Sequence, residues 1–164
     1  MSISTGDKAP DFKLTTLTAD GPVHITLSEN FGKTHTLLLF VPMAFTGVCT
    51  EELCGVTNSL NDYSDLGATV IGISGDNPFA QAAWAEKEGI KLPLASDYEH
   101  KVAEAYGVAY DSFVPEKNLD MGGVAKRSAF LVDKKGIVQY AEVKESPLDL
   151  PDFEAIKTAL RALG

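Results

Sequence analysis

Short runs rich in β-branched and aromatic residues recur along the chain at Val23–Leu27, Thr36–Val41, Thr69–Ser74, Ser128–Val132 and Ile137–Val143, and each predicts a strand. The second and third are apolar almost throughout, the pattern of central strands covered on both faces. Asp133-Lys134-Lys135-Gly136 joins the last two as a tight hairpin turn, so the expected sheet is mixed, with an antiparallel edge. Between the strands the period changes. Leu53, Val56, Leu60 and Tyr63 form one helical stripe, and Phe153, Ile156, Leu160 and Leu163 form another at the C-terminal end. Asn77-Pro78 reads as an N-cap followed by proline at the first helical position, opening a helix that carries Phe79, Ala82, Ala83 and Trp84. A shorter helix is expected through Val102 to Tyr106. Strands alternating with helices, then a hairpin and a last helix, predict an α/β sandwich.

A length of 164 residues fits one domain, and neither repeat nor linker divides residues 1–164. The stretch Asp111–Gly123 is long for a structureless connection and reads as a functional surface loop. Fourteen basic against twenty-three acidic residues leave a charge of −9, which a nucleic-acid backbone would repel. The most apolar stretch, Leu37–Phe45, holds nine residues, a proline among them, where a membrane span needs about 20. With no apolar signal core near Met1, the expectation is a soluble, cytoplasmic protein. In that reducing compartment two cysteines are more often redox-active than structural.

The cysteines carry the chemistry. A buried strand ends near Val41, a proline-containing loop follows, and a helix begins close to Cys49. That places Cys49 in a first helical turn beyond the carboxyl end of a central strand, where open α/β sheets put their sites. Free N–H groups and the helix dipole there favour a thiolate. On a helical wheel Cys49 lies within about 40° of Leu53, Val56 and Leu60, facing the protein. Cys54 is rotated by about 140° and shares a face with Thr50, Asn58, Asn61 and Asp65, leaning towards solvent. Five helical residues rise about 7.5 Å, so the two Cα atoms stand on the order of 8 Å apart, beyond the reach of about 7 Å that a disulfide allows. A Cys49–Cys54 bond therefore requires the turn to unwind.

The segment Pro42-Met43-Ala44-Phe45-Thr46-Gly47-Val48-Cys49 matches P-x-x-x-T-x-x-C and resembles the active-site signature of peroxiredoxins. Gly6–Phe12, Val70–Asp76, Leu92–Asp97 and Arg127–Asp133 resemble further segments of that family in the right order. The resemblance implies a thioredoxin-like fold with an N-terminal extension, helices on both sheet faces, and thiol-based reduction of hydrogen peroxide or organic hydroperoxides without a cofactor. It implies that Cys49 is the peroxidatic cysteine, passing through a sulfenic acid. Thr46 would hydrogen-bond thiolate and peroxide, Pro42 would shield the thiolate, Arg127 would stabilise it and the developing oxyanion, and Glu52 would position the arginine. The five-residue spacing to Cys54 resembles the peroxiredoxin Q group, in which an intramolecular disulfide is reduced by thioredoxin. Pro-Met-Ala-Phe-Thr-Gly looks more like the one-cysteine alkyl hydroperoxide reductase E group, in which a low-molecular-weight thiol or a glutaredoxin-like protein resolves the cysteine. A homodimer formed through loops around the site is a further implication.

Other readings use the same residues. A redox-regulated binding or sensor protein could switch through a Cys49–Cys54 bond, and a chaperone-like protein could carry both thiols inert. Arg127 and Arg161 are the two arginines, and without the resemblance each would be a surface charge. His24, His35 and His100 are dispersed without ligand spacing, which predicts surface histidines and no metal site.

Overall fold

The computed structural model describes residues 1–164. Seven strands, β1 (Lys13–Thr18), β2 (Gly21–Thr26), β3 (His35–Phe40), β4 (Ala68–Ser74), β5 (Leu94–Ser96), β6 (Ser128–Val132) and β7 (Val138–Val143), form one sheet in the order β2-β1-β5-β4-β3-β6-β7. β3, β4 and β5 run parallel, and the remaining pairings are antiparallel. The sheet is therefore mixed as expected, with a hairpin at each edge. Asp133 fastens the hairpin between β6 and β7, its Oδ1 accepting the N–H groups of Lys135 and Ile137, while Gly136 takes a positive φ of 83°.

The helices are α1 (Gly47–Asn58), α2 (Leu60–Ser64), α3 (Pro78–Glu88), α4 (Lys101–Ala105) and α5 (Phe153–Leu163). Alternation along β3 divides the core. Leu37 and Leu39 pack with Leu53 and Val56 of α1, Trp84 of α3, and Ile156 and Leu160 of α5 on one face. Leu38 and Phe40 pack on the other with Val102 and Ala103 of α4, Tyr106, Phe130 and the N-terminal Ala9 and Phe12. At the start of α3, Asn77 Oδ1 accepts the Ala80 N–H at 2.8 Å and Pro78 occupies the first turn.

Three features depart from the sequence pattern. β1 and β5 have no apolar run to mark them: Thr16 is the one buried residue of β1, and β5 spans three residues. The stripe from Leu53 to Tyr63 is broken at Ser59, whose hydroxyl donates back to the Gly55 carbonyl at 3.2 Å as α1 ends and α2 begins. His35 is 5% exposed rather than a surface residue, because β3 is covered along its whole length, and both ring nitrogens lack partners.

Candidate active site

β3 delivers the chain to the site. Beyond Phe40 the loop Val41–Thr46 leads into α1, and the carboxylate that follows β4 anchors it. Asp76 Oδ2 accepts the Ala44 N–H at 2.8 Å and the Ser74 hydroxyl at 2.7 Å. Phe45 holds a left-handed φ of 65°, a strained conformation for an aromatic residue. Thr46 then caps α1 by its backbone, without a side-chain capping bond. Its hydroxyl instead donates to the Met43 carbonyl at 2.7 Å, which leaves the threonine oxygen free to accept. Cys49 sits in the first turn of α1, 1% exposed, with first-turn N–H groups that lack helical acceptors.

Strand register brings Arg127 to this point. β6 pairs antiparallel with β3, Ser128 opposite Phe40, so the residue before β6 falls beside the carboxyl end of β3. Arg127 is 1% exposed, against the expectation of a surface charge that the bare sequence gives. Its Nη2 lies 3.4 Å from Cys49 Sγ and donates to the Pro147 carbonyl at 2.8 Å, while Nη1 donates to Glu52 Oε1 at 2.8 Å. Glu52 and Cys49 lie three residues apart on α1, one turn on the same face, so one guanidinium reaches both. Burial pushes the Glu52 carboxyl up to about 7 against the pull of Arg127. Burial also works against the Arg127 charge, but Cys49 and Glu52 outweigh it and hold the guanidinium protonated.

A cleft of about 350 Å³ opens onto the thiol. Pro42, Thr46 and Arg127 line its floor with Cys49, and Phe113, Val114 and Leu119 of the Asp111–Gly123 loop form a wall, so that loop reaches the site.

Cys54 differs from the solvent-facing position that the helical wheel predicts. It is half-buried against the core, because the end of α3 covers that side of α1, and its Sγ donates to the Glu88 carbonyl at 3.5 Å. Burial, with the nearby Glu88 charge, pushes its thiol up. Both cysteines are free thiols on an intact helix. Trp84 Nε1 donates to Thr50 Oγ1 at 2.9 Å and ties α3 to the turn that bears Cys49. Asp76, Thr50 and the Pro147 carbonyl were not marked by residue type. Asp76 follows an apolar strand and so had a positional signal, whereas a main-chain carbonyl has none.

Arg161, by contrast, is exposed at the far end of α5.

Known proteins resemble this one along the whole chain. The chain is 33% identical to alkyl hydroperoxide reductase E of Mycobacterium tuberculosis, covering 98% of each protein. The solved structure of peroxidoxin BcpB from Mycobacterium tuberculosis matches with a TM-score of 0.83 at 28% identity, over 99% of both chains. Thioredoxin peroxidase I of Plasmodium yoelii matches with a TM-score of 0.79 at 30% identity, over 98% of this chain and 90% of that one. The AhpC/TSA family profile matches residues 5–141. A match of that extent, over a fold of the same thioredoxin-like type, makes this protein a member of the AhpC/TSA family, a peroxiredoxin and thiol-dependent peroxidase.

Proposed function

We propose that Cys49 is the peroxidatic cysteine and that Arg127 is its electrostatic partner. The 3.4 Å contact between Arg127 Nη2 and Cys49 Sγ, two residues each 1% exposed at the foot of the cleft, carries this reading. A fixed guanidinium there stabilises the thiolate and then the charge that spreads onto oxygen as the O–O bond breaks. The thiolate attacks the terminal peroxide oxygen, giving a sulfenic acid and an alkoxide that takes a proton to leave as alcohol or water. The Thr46 hydroxyl, with its hydrogen committed to Met43, accepts the peroxide O–H and aligns it. Pro42 keeps water from the sulfur. Glu52 fixes the guanidinium fork through Nη1.

Cys54 resolves the sulfenic acid as an intrachain disulfide once the first turns of α1 unwind, and a thioredoxin-type protein reduces that bond. The likeness to the solved thioredoxin peroxidase I of Plasmodium yoelii supports this choice of reductant. A second reading has an observation of its own: Cys54 is held by the Glu88 carbonyl with its thiol pushed up, which slows its attack and leaves room for a glutaredoxin-like protein or a small thiol. A reducing compartment such as the cytoplasm suits either cycle. Apolar residues of the Asp111–Gly123 loop offer a contact for a homodimer, and sedimentation showing only monomer in both redox states would count against it. Stopped-flow mixing of reduced protein with peroxide, followed by intact-mass analysis, tests the whole scheme. An intrachain link is the expected product, and a stable sulfenic acid beside free Cys54 assigns resolution to an external thiol.

A further inference from the structure

Arg127 is one cation facing two acids. Sγ of Cys49 and Oε1 of Glu52 contact opposite nitrogens of the same guanidinium, and the Arg127 and Glu52 side chains are 1% and 0% exposed. Glu52 Oε2 and Arg127 Nε are buried without any partner. A second full anion in this cluster would stand uncompensated in a low-dielectric interior, and an unpartnered oxygen tolerates a neutral carboxyl far better than a carboxylate.

We infer that Cys49 and Glu52 share a single negative charge through Arg127, so that Glu52 is protonated while the sulfur is a thiolate and ionised once the sulfur is a neutral sulfenic acid. The inference rests on the peroxidase reading of Cys49. Glu52 never touches the peroxide and acts through Arg127 as a positioning and charge-balancing residue. The step balances without solvent protons: thiolate, Glu52 acid and hydroperoxide give sulfenic acid, Glu52 carboxylate and alcohol. Sulfur forms one S–O bond and is oxidised, the O–O bond breaks and the peroxide is reduced, and the proton that Glu52 gives up balances the one that the leaving alkoxide takes. Without an ionising Glu52, the same step takes up one proton from the medium.

The surroundings suit this exchange. A second cleft of about 310 Å³, sharing no residue with the peroxide cleft, is lined by Glu51, Glu52, Gly55, Ser59, Tyr63 and Phe153, while the Glu52 carboxyl itself stays buried behind that lining. The groups that face Glu52 disfavour its charge or leave it alone, apart from Arg127. From β7 comes Glu142, held ionised by Lys144 at 2.7 Å and the Tyr140 hydroxyl at 2.9 Å. From α2 comes the Tyr63 phenol, pushed up to about 12 by burial, with Lys157 of α5 over its ring and Glu154 beyond. Glu51 of α1 borders the second cleft. A carboxyl that burial holds at about 7 is poised to change state when its neighbour changes charge.

Proton counting tests the inference. Reduced protein is mixed with one equivalent of hydrogen peroxide in weak buffer with a pH indicator, on the acid side of about pH 7. The wild type should take up almost no proton per oxidised Cys49, and the uptake should rise towards one as the pH is raised and Glu52 starts out ionised. Glu52→Gln should take up one proton throughout. Equal uptake by the two proteins overturns the inference. Infrared difference spectra of the wild type alone give a second reading, independent of whether the variant folds. Loss of a carboxylic acid C=O band on oxidation is expected, and its absence overturns the charge sharing. Mass analysis separates the two layers: no oxygen gained at Cys49 removes the peroxidase reading as well, whereas oxidation with unaltered carboxyl signals removes only the role of Glu52.

Discussion

Replacing Arg127 with lysine keeps the charge and loses the fork. Arg127 serves Cys49 Sγ at 3.4 Å, Glu52 Oε1 at 2.8 Å and the Pro147 carbonyl at 2.8 Å simultaneously. A single ammonium drawn to Glu52 and Pro147 retreats from the sulfur. Moving a unit charge from 3.4 Å to roughly 6 Å, at an effective dielectric constant of about 20, forfeits about 2 kcal/mol, or roughly 30-fold in rate. Loss of the directed donor brings the total to on the order of a hundredfold or more. Stopped-flow fluorescence measures it, because Trp84 is the sole tryptophan and its indole donates to Thr50, the residue after Cys49. The slope of the observed rate against peroxide concentration is the second-order constant. A folded Arg127→Lys protein with an unchanged constant would refute the electrostatic reasoning.

Three other perturbations have defined outcomes. Cys54→Ser should abolish the intrachain link and accumulate sulfinic acid at high peroxide, read by intact mass, since ordinary thiols do not reverse that state; disulfide yield and overoxidation equal to the wild type's would remove Cys54 from the cycle. Gly55→Ala should slow disulfide formation about fivefold, because alanine stabilises a helix interior by about 1 kcal/mol over glycine, and a Cβ at Gly55 meets nothing within 4 Å. His35 has its pKa lowered from 6.5 by burial and then by Lys134, so the folded state keeps the ring neutral while the unfolded chain protonates. Its contribution is therefore fully present above about pH 6.5 and is lost as pH falls through the lower folded value. His35→Leu should flatten the acid-side fall in melting temperature, and an unchanged slope would show that this ring does not titrate on unfolding.

Elements that bury a full apolar face were legible in the sequence: β3, β4, β6 and the stripe of α5 all announce themselves by pattern, and α3 by its Asn-Pro cap. β1 was not, because a strand of three threonines with one buried residue carries no period-2 contrast. The wheel placed Cys49 correctly, since its apolar neighbours on α1 line the core. It failed for Cys54, because a wheel describes one helix and cannot register that α3 lies over that side. His35 was missed for a related reason, a polar residue held in a strand that its neighbours cover completely. The convergence of Arg127 on Cys49 depends on the β3–β6 register, which no local pattern encodes. The motif resemblance supplied those residues, and the register gives the physical reason they meet.

The most direct test of the central claim is multiple-turnover peroxide consumption in the presence of a dithiol reductant, comparing the wild type with Cys49→Ser and checking both for an intact fold. The account predicts that the wild type consumes many peroxides per chain and that Cys49→Ser consumes none above the uncatalysed background. Retained turnover in Cys49→Ser, or a wild type that stops after one peroxide per chain with reductant still available, would contradict it.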